Sequence, residues 1–167
     1  MKLIQFSGLP GTGKSTLARK VATKFRFPLL NKDHFEGVLY RANLTDGGSI
    51  HGYNLLLETA ELQLSLGVSI ILDAVFPREG FRRRVRDMAA QNEAQLYIIH
   101  TFCSDETIHQ ERLIKRVSQV PWSPVTWERA KEIRSFYKTW QQDEALFLDA
   151  INPPENNFQA ICDYIDS

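Results

Sequence analysis

The stretch Lys2–Thr16, KLIQFSGLPGTGKST, decides the fold. Its first half, Lys2–Ser7, reads as a short apolar strand. Its second half, Gly8-Leu9-Pro10-Gly11-Thr12-Gly13-Lys14-Ser15, fits G-x-x-x-x-G-K-[ST]. Glycines permit a tight backbone path and let successive N–H groups point at phosphate oxygens. Thr16–Phe25 then shows helical spacing, with Leu17, Val21 and Phe25 on one face. The helix start adds the positive end of its dipole to the same place. Strand, glycine loop and helix together predict a nucleotide-binding loop: Gly8, Gly11, Thr12, Gly13 and Thr16 around the phosphates, Lys14 bridging the β- and γ-phosphates, and the Ser15 hydroxyl on Mg²⁺.

Outward from this loop, strand-like and helix-like stretches alternate about five times. Phe27–Leu30, Val68–Leu72, Leu96–Phe102 and Leu146–Ile151 are apolar runs of strand length. Phe35–Tyr40, Leu55–Leu66, Gly80–Asn92, Asp105–Val117 and Glu155–Ile165 read as helices, with Gly67 a natural C-terminal cap for the second of them. Thr45–Ser49 is a loop, Gln119–Trp122 a connector, and Ser123-Pro124 caps a long helix predicted to run to about Gln142. Near-continuously apolar strands separated by amphipathic helices predict an α/β fold, a parallel sheet covered by helices on both faces. The 167 residues suit a single domain, residues 1–167, and show no internal repeat or linker.

Lys and Arg number 20 and Asp and Glu number 20, a zero balance that argues against a protein built to coat a nucleic acid or an anionic membrane. The charge is unevenly spread. Residues 1–50 carry a net +5, residues 51–77 a net −3, residues 78–103 a net +2 and residues 104–167 a net −4. A positive ligand-facing front with an acidic rear would give this pattern, and so would chance. No apolar run reaches the ~20 residues that span a bilayer. Only two cysteines, Cys103 and Cys162, are present, and no signal-peptide pattern opens the chain, so a reduced cytoplasmic setting is expected.

Two carboxylates stand at predicted strand ends. Asp33 follows the second apolar run, where a parallel sheet delivers residues to its carboxyl edge beside the phosphate loop. A carboxylate there can accept the proton of an attacking hydroxyl, so Asp33 is the candidate general base; it also suits an N-cap for the next helix, and the two roles can coexist. Asp73 ends Val68-Ser69-Ile70-Ile71-Leu72 in the Walker B form and is predicted to reach Mg²⁺, often through water, while bonding the Ser15 hydroxyl.

GLPGTGKST, NKDHF, GVSIILDAVF, ERLIKR and the helix after the connector, in that order, resemble the small P-loop kinases related to the polynucleotide 5′-hydroxyl kinases, the chloramphenicol phosphotransferases and the zeta-toxin kinases. The resemblance covers nearly the whole chain. It implies a single P-loop domain with five parallel strands in the order 2-3-1-4-5, a lid region of about residues 105–125, and ATP-dependent phosphorylation of a hydroxyl. It further implies that Asp33 is the base, and that lid arginines close over the nucleotide: Arg112 on the phosphates of ATP and Arg116 on the charge that develops in the transition state. Glu36 departs from the polynucleotide-kinase pattern, which has an arginine there to hold the nucleic acid's phosphate.

The acceptor is therefore expected to be a small molecule or, at most, the 5′ end of a nucleic acid, with zero net charge and Glu36 favouring the former. Arg78, Arg82, Arg83, Arg84 and Arg86 crowd the helix after Asp73 and either hold an anionic acceptor or form a solvated face. Trp127, Ile133, Tyr137 and Trp140 recur at helical spacing as core, and Trp122 is a candidate stacking residue. His51, His100 and His109 have no metal-ligand spacing. The alternative reading is a P-loop NTPase or switch that transfers phosphate only to water; the carboxylate at Asp33 speaks against it, since such a switch needs no acceptor base.

Overall fold

The apolar runs close into one five-stranded sheet in a computed structural model that describes residues 1–45, 50–117 and 125–167, apart from the side chains of residues 116 and 117. The elements are β1 (Lys2–Ser7), α1 (Lys14–Phe25), β2 (Leu29–Asn31), α2 (Lys32–Arg41), α3 (Ile50–Ser65), β3 (Ile70–Asp73), α4 (Glu79–Gln91), β4 (Gln95–Phe102), α5 (Glu106–Val117), α6 (Trp127–Phe136), β5 (Leu146–Asp149) and α7 (Pro154–Asp166). All strand pairs are parallel, as the sequence pattern predicts, and the order is β2-β3-β1-β4-β5, as the resemblance implies.

Period-two alternation in β1 sends its side chains to two cores. Leu3, with Ile70 and Leu72, packs under Leu56, Leu57, Ala60 and Leu64 of α3 and Val85, Met88 and Ala89 of α4. Ile4 and Phe6, with Ile71 and Ile99, pack under Leu17, Ala18 and Val21 of α1 and Ile161 and Ile165 of α7. Both faces are thus covered, which is why the strands are near-continuously apolar. Register places Phe6 opposite Asp73 and Asp73 opposite Asn31, so the phosphate loop and the two predicted acid-bearing strand ends share one edge of the sheet.

Several boundaries move. β3 starts at Ile70 rather than Val68, because the Val68 N–H still bonds the Gln63 carbonyl at 3.0 Å and belongs to the turn that leaves α3 through Gly67. The predicted long helix starts at Trp127, where the Thr126 hydroxyl accepts the Arg129 N–H, and ends at Phe136 instead of Gln142. Tyr137 is extended because the phenol and the Trp140 indole turn inward: the Tyr137 hydroxyl lies 2.7 Å from Ser7 Oγ and Trp140 Nε1 donates to the same oxygen at 3.0 Å. These long-range contacts outweigh further helical turns. Trp140 is buried, whereas Trp127, Ile133 and Tyr137 are half-buried. The Ser123-Pro124 cap, Trp122 and the Gln119–Trp122 connector lie outside the described residues, as does most of the Thr45–Ser49 loop. Among the described residues no helix is long and apolar enough to cross a membrane.

Candidate active site

The phosphate loop is fastened to the rest of the fold at four points. Gly8 has φ +134° and a Cβ there would stand 2.1 Å from the Thr101 carbonyl oxygen, so β4 admits only glycine. Thr12 is buried; its hydroxyl lies 2.7 Å from both the Leu9 carbonyl and Thr101 Oγ1. A Cβ at Gly11 (φ +83°) would meet Leu113 at 2.9 Å, so α5 also lies hard against the loop. Finally, His109 Nε2 donates to the Pro10 carbonyl at 2.7 Å. Lys14 is buried and its ammonium donates to the Leu9 carbonyl at 2.8 Å. Gly13 caps α1 without a side-chain hydrogen bond, so no side chain stands between the positive end of that helix and a ligand.

Behind the loop, Asp73 is buried at the end of β3. Burial pushes its carboxyl above the usual carboxylate range, against the pull of Lys14 and of hydrogen bonds from the Ser15 hydroxyl and Asn31. Asn31 does two jobs. Its Nδ2 donates to Asp73 Oδ2 at 2.6 Å, and its Oδ1 accepts the His34 N–H at 2.8 Å as the N-cap of α2. The cap role that suited Asp33 in the sequence is therefore filled by Asn31, and Asp33 occupies the first turn of α2. A serine hydroxyl next to a buried carboxylate is an all-oxygen donor set of the kind Mg²⁺ takes, with the rest of its shell left to water and phosphate oxygens.

One cleft of about 660 Å³ brings most of the predicted residues together: Gly11 through Leu17, Asn31, Asp33, His34, Arg112, Lys115, Ala150, Asn152 and Asn157 all line it. Gly8 and Asp73 do not; the first is packed on β4 and the second supports the floor through Ser15 and Asn31. Arg112 donates to the Ala150 carbonyl at 3.0 Å and so ties α5 to the loop after β5. Asn157 braces that loop from α7 by donating to the Asp149 carbonyl at 2.8 Å. The Arg116 side chain lies outside the described residues. His34, which stands beside Asp33 in the sequence as a residue able to tune the site, lines the cleft with it. Asn31, Lys115, Asn152 and Asn157 are additions of the structure, and only Asn31, a polar residue between strand and helix, carries a local signal for its role.

The arginines of α4 do not gather on the cleft. Arg82 is buried, with Nε on the Phe76 carbonyl at 2.8 Å and its guanidinium 4.0 Å from the Trp140 ring centroid. Arg84 pairs with Glu58, Arg86 with Glu79, and Arg78 stacks over Phe136. Together with Ser7, Tyr137 and His100, whose Nδ1 lies 3.2 Å from the Tyr137 hydroxyl, Arg82 and Trp140 form a polar layer under the root of the phosphate loop. Burial, with Lys14 and Arg82 nearby, pushes the His100 pKa down to about 4, so the ring is neutral there. Glu36 is likewise committed: it is fully buried against Lys32 at 3.1 Å, and Gly52 leaves room for it, since a Cβ there would lie 2.4 Å from Glu36 Oε2. No cation stands at position 36 to hold a phosphate.

A family model described as an AAA domain matches residues 3–138. No curated protein matches the chain in sequence. Solved structures share its fold across nearly the whole length. A candidate kinase from Chloroflexus aurantiacus superposes with a TM-score of 0.77 at 22% identity, covering 99% of this chain and 96% of its own. A sugar kinase from Janibacter gives 0.73 at 18% identity, with 99% and 95% covered. The APS kinase of Mycobacterium tuberculosis, solved with AMPPNP and APS, gives 0.67 at 16% identity, with 99% and 98% covered.

Proposed function

The chain belongs to the AAA-domain family whose model it matches, and on that premise we propose that it is an ATP-dependent kinase that passes the γ-phosphate to the hydroxyl of a small molecule. The observation that carries this reading is that one cleft is lined both by the phosphate loop and by Asp33 with His34. A site for phosphate and a carboxylate within the same space is what transfer to a hydroxyl needs, whereas hydrolysis by a bound water needs no acceptor space.

Each residue then has a role. The N–H groups at the start of α1, which no side chain caps, hold phosphate oxygens. Lys14 leaves the Leu9 carbonyl for the β- and γ-phosphates, exchanging a neutral acceptor for charged ones. Arg112 and the Ala150–Asn152 segment form the outer wall where the rest of the nucleotide lies. Mg²⁺, which Ser15 and, through water, Asp73 would hold, supplies charge neutralisation for the phosphates. Asp33 takes the acceptor's proton as its oxygen bonds to the γ-phosphorus and the bond to the β-phosphate oxygen breaks, releasing ADP. Arg116 and the lid of about residues 105–125 are proposed from the sequence to offset charge on the transferring group.

The comparisons support a small acceptor: a sugar kinase and an APS kinase share the fold. So do the zero net charge and the buried Glu36–Lys32 pair, which leaves no arginine at the place where the polynucleotide-kinase pattern has one. Adenine as the base rests on the resemblance. Two cysteines without a disulfide suit the reduced cytoplasm. The test is labelled ATP offered with a panel of sugars, nucleosides, antibiotics and oligonucleotides, read for labelled product. Transfer to one class of small molecule is expected. Full-rate phosphate release with no acceptor would replace the kinase with an NTPase, and labelled oligonucleotide would move the acceptor to a nucleic-acid 5′ end.

A further inference from the structure

Among the histidines, His109 is the one aimed at the phosphate loop, and nothing in the proposed chemistry uses it. It sits on α5 with only 1% of its surface exposed. Nε2 meets the Pro10 carbonyl at 2.7 Å, Arg134 Nη2 of α6 lies 3.5 Å from Nδ1, and the ring stands edge-on to Trp127 at 5.3 Å. A carbonyl only accepts and a guanidinium only donates. Both contacts are satisfied at once by a single form of the ring: neutral, with its proton on Nε2. Burial pushes the His109 pKa down, and Arg134, Lys14 and Arg112 nearby push the same way.

We propose that His109 is a positioning residue of the phosphate loop, holding the Pro10–Gly11 peptide so that the Gly11 N–H faces the nucleotide's phosphates. The inference rests on the nucleotide reading of the cleft. In a trans peptide the C=O and N–H point in opposite directions, and the described residues contain no cis peptide bond. His109 draws the Pro10 oxygen outward to α5, so the other end of that plane turns inward. Gly11 lines the cleft. Pro10 has no N–H, so the Gly11 N–H is the first donor that the loop offers after that of Leu9. Trp127 and Arg134 hold the ring from behind, which makes α6 the outer support of the loop.

The test compares His109→Phe, which keeps the ring's bulk against Trp127 and loses the donor, with His109→Gln, whose amide restores one. Calorimetric titration with ADP and with inorganic tripolyphosphate reads the phosphate cradle without any acceptor. In His109→Phe both ligands should bind about tenfold more weakly, the effect of an unpaired buried carbonyl and a freed peptide, and by the same factor. His109→Gln should recover most of the loss. Purely structural support would lower the thermal midpoint and leave the affinity of the folded protein alone. Equal ADP affinity in His109→Phe and the unmodified chain, or no recovery in His109→Gln, would overturn the proposal while leaving the nucleotide reading intact. An unmodified chain that binds neither ligand would remove both. Should the Phe variant not fold, the ¹⁵N shifts of His109 in the unmodified chain decide: a proton on Nε2 is expected, and a proton on Nδ1 would refute the arrangement.

Discussion

His100 links the stability of the chain to pH through the polar layer beneath the phosphate loop. The unfolded chain takes up a proton on this ring near the usual 6.5, whereas the folded protein refuses it until about pH 4. Its contribution is therefore complete above pH 6.5 and is lost as the pH falls toward 4. At pH 5 the difference amounts to about 2 kcal/mol of lost stability, or a thermal midpoint lower by roughly 4–8 °C for a chain of this length. His100→Phe isolates the effect, because a phenyl ring keeps the packing on Phe102, Phe147 and Tyr137 and cannot titrate. The variant costs about 1 kcal/mol at neutral pH through the lost Tyr137 hydrogen bond. His109 shifts the same way and Asp73 the opposite way, so both cancel when variant and unmodified chain are compared at each pH. Urea unfolding at intervals from pH 7.5 to 5 measures the gap between them. It should close as the pH falls and then reverse; a gap that stays constant across the range would refute the reasoning.

Two other predictions follow from the geometry. Gly8→Ala sets a methyl carbon 2.1 Å from the Thr101 carbonyl oxygen at a φ that L residues rarely adopt, and should cost about 3 kcal/mol in urea unfolding. Arg84→Gln removes an exposed pairing with Glu58 of α3, neither residue lining the cleft, and should leave both ADP affinity and turnover within about twofold of the unmodified chain.

The sheet was legible because parallel strands covered on both faces are near-continuously apolar, and the five runs are, with polar exceptions such as Gln5, Ser7, His100 and Thr101. The phosphate loop was legible because its glycines serve local backbone demands. What stayed hidden depends on contacts remote in sequence. Tyr137 and Trp140 keep the helical spacing of Trp127 and Ile133, yet the helix stops at Phe136 because their polar tips find Ser7, 130 and 133 residues away. Five arginines in one short stretch look alike, and only the packing of Trp140 over Arg82 shows which one turns inward. Asp33 and Asn31 are equally good caps by composition. Asn31 takes the cap because its amide also reaches Asp73 across the neighbouring strand.

Under the proposed function, this cleft moves a phosphoryl group onto a hydroxyl with Asp33 as the base. Asp33→Asn tests it most directly, measured with the acceptor that the labelled-ATP panel identifies. The exchange removes the proton acceptor and keeps the side chain's size in the first turn of α2. ADP affinity should stay within about twofold while acceptor phosphorylation falls by two to four orders of magnitude, roughly the range of a lost general base. Turnover at the unmodified rate would contradict the account.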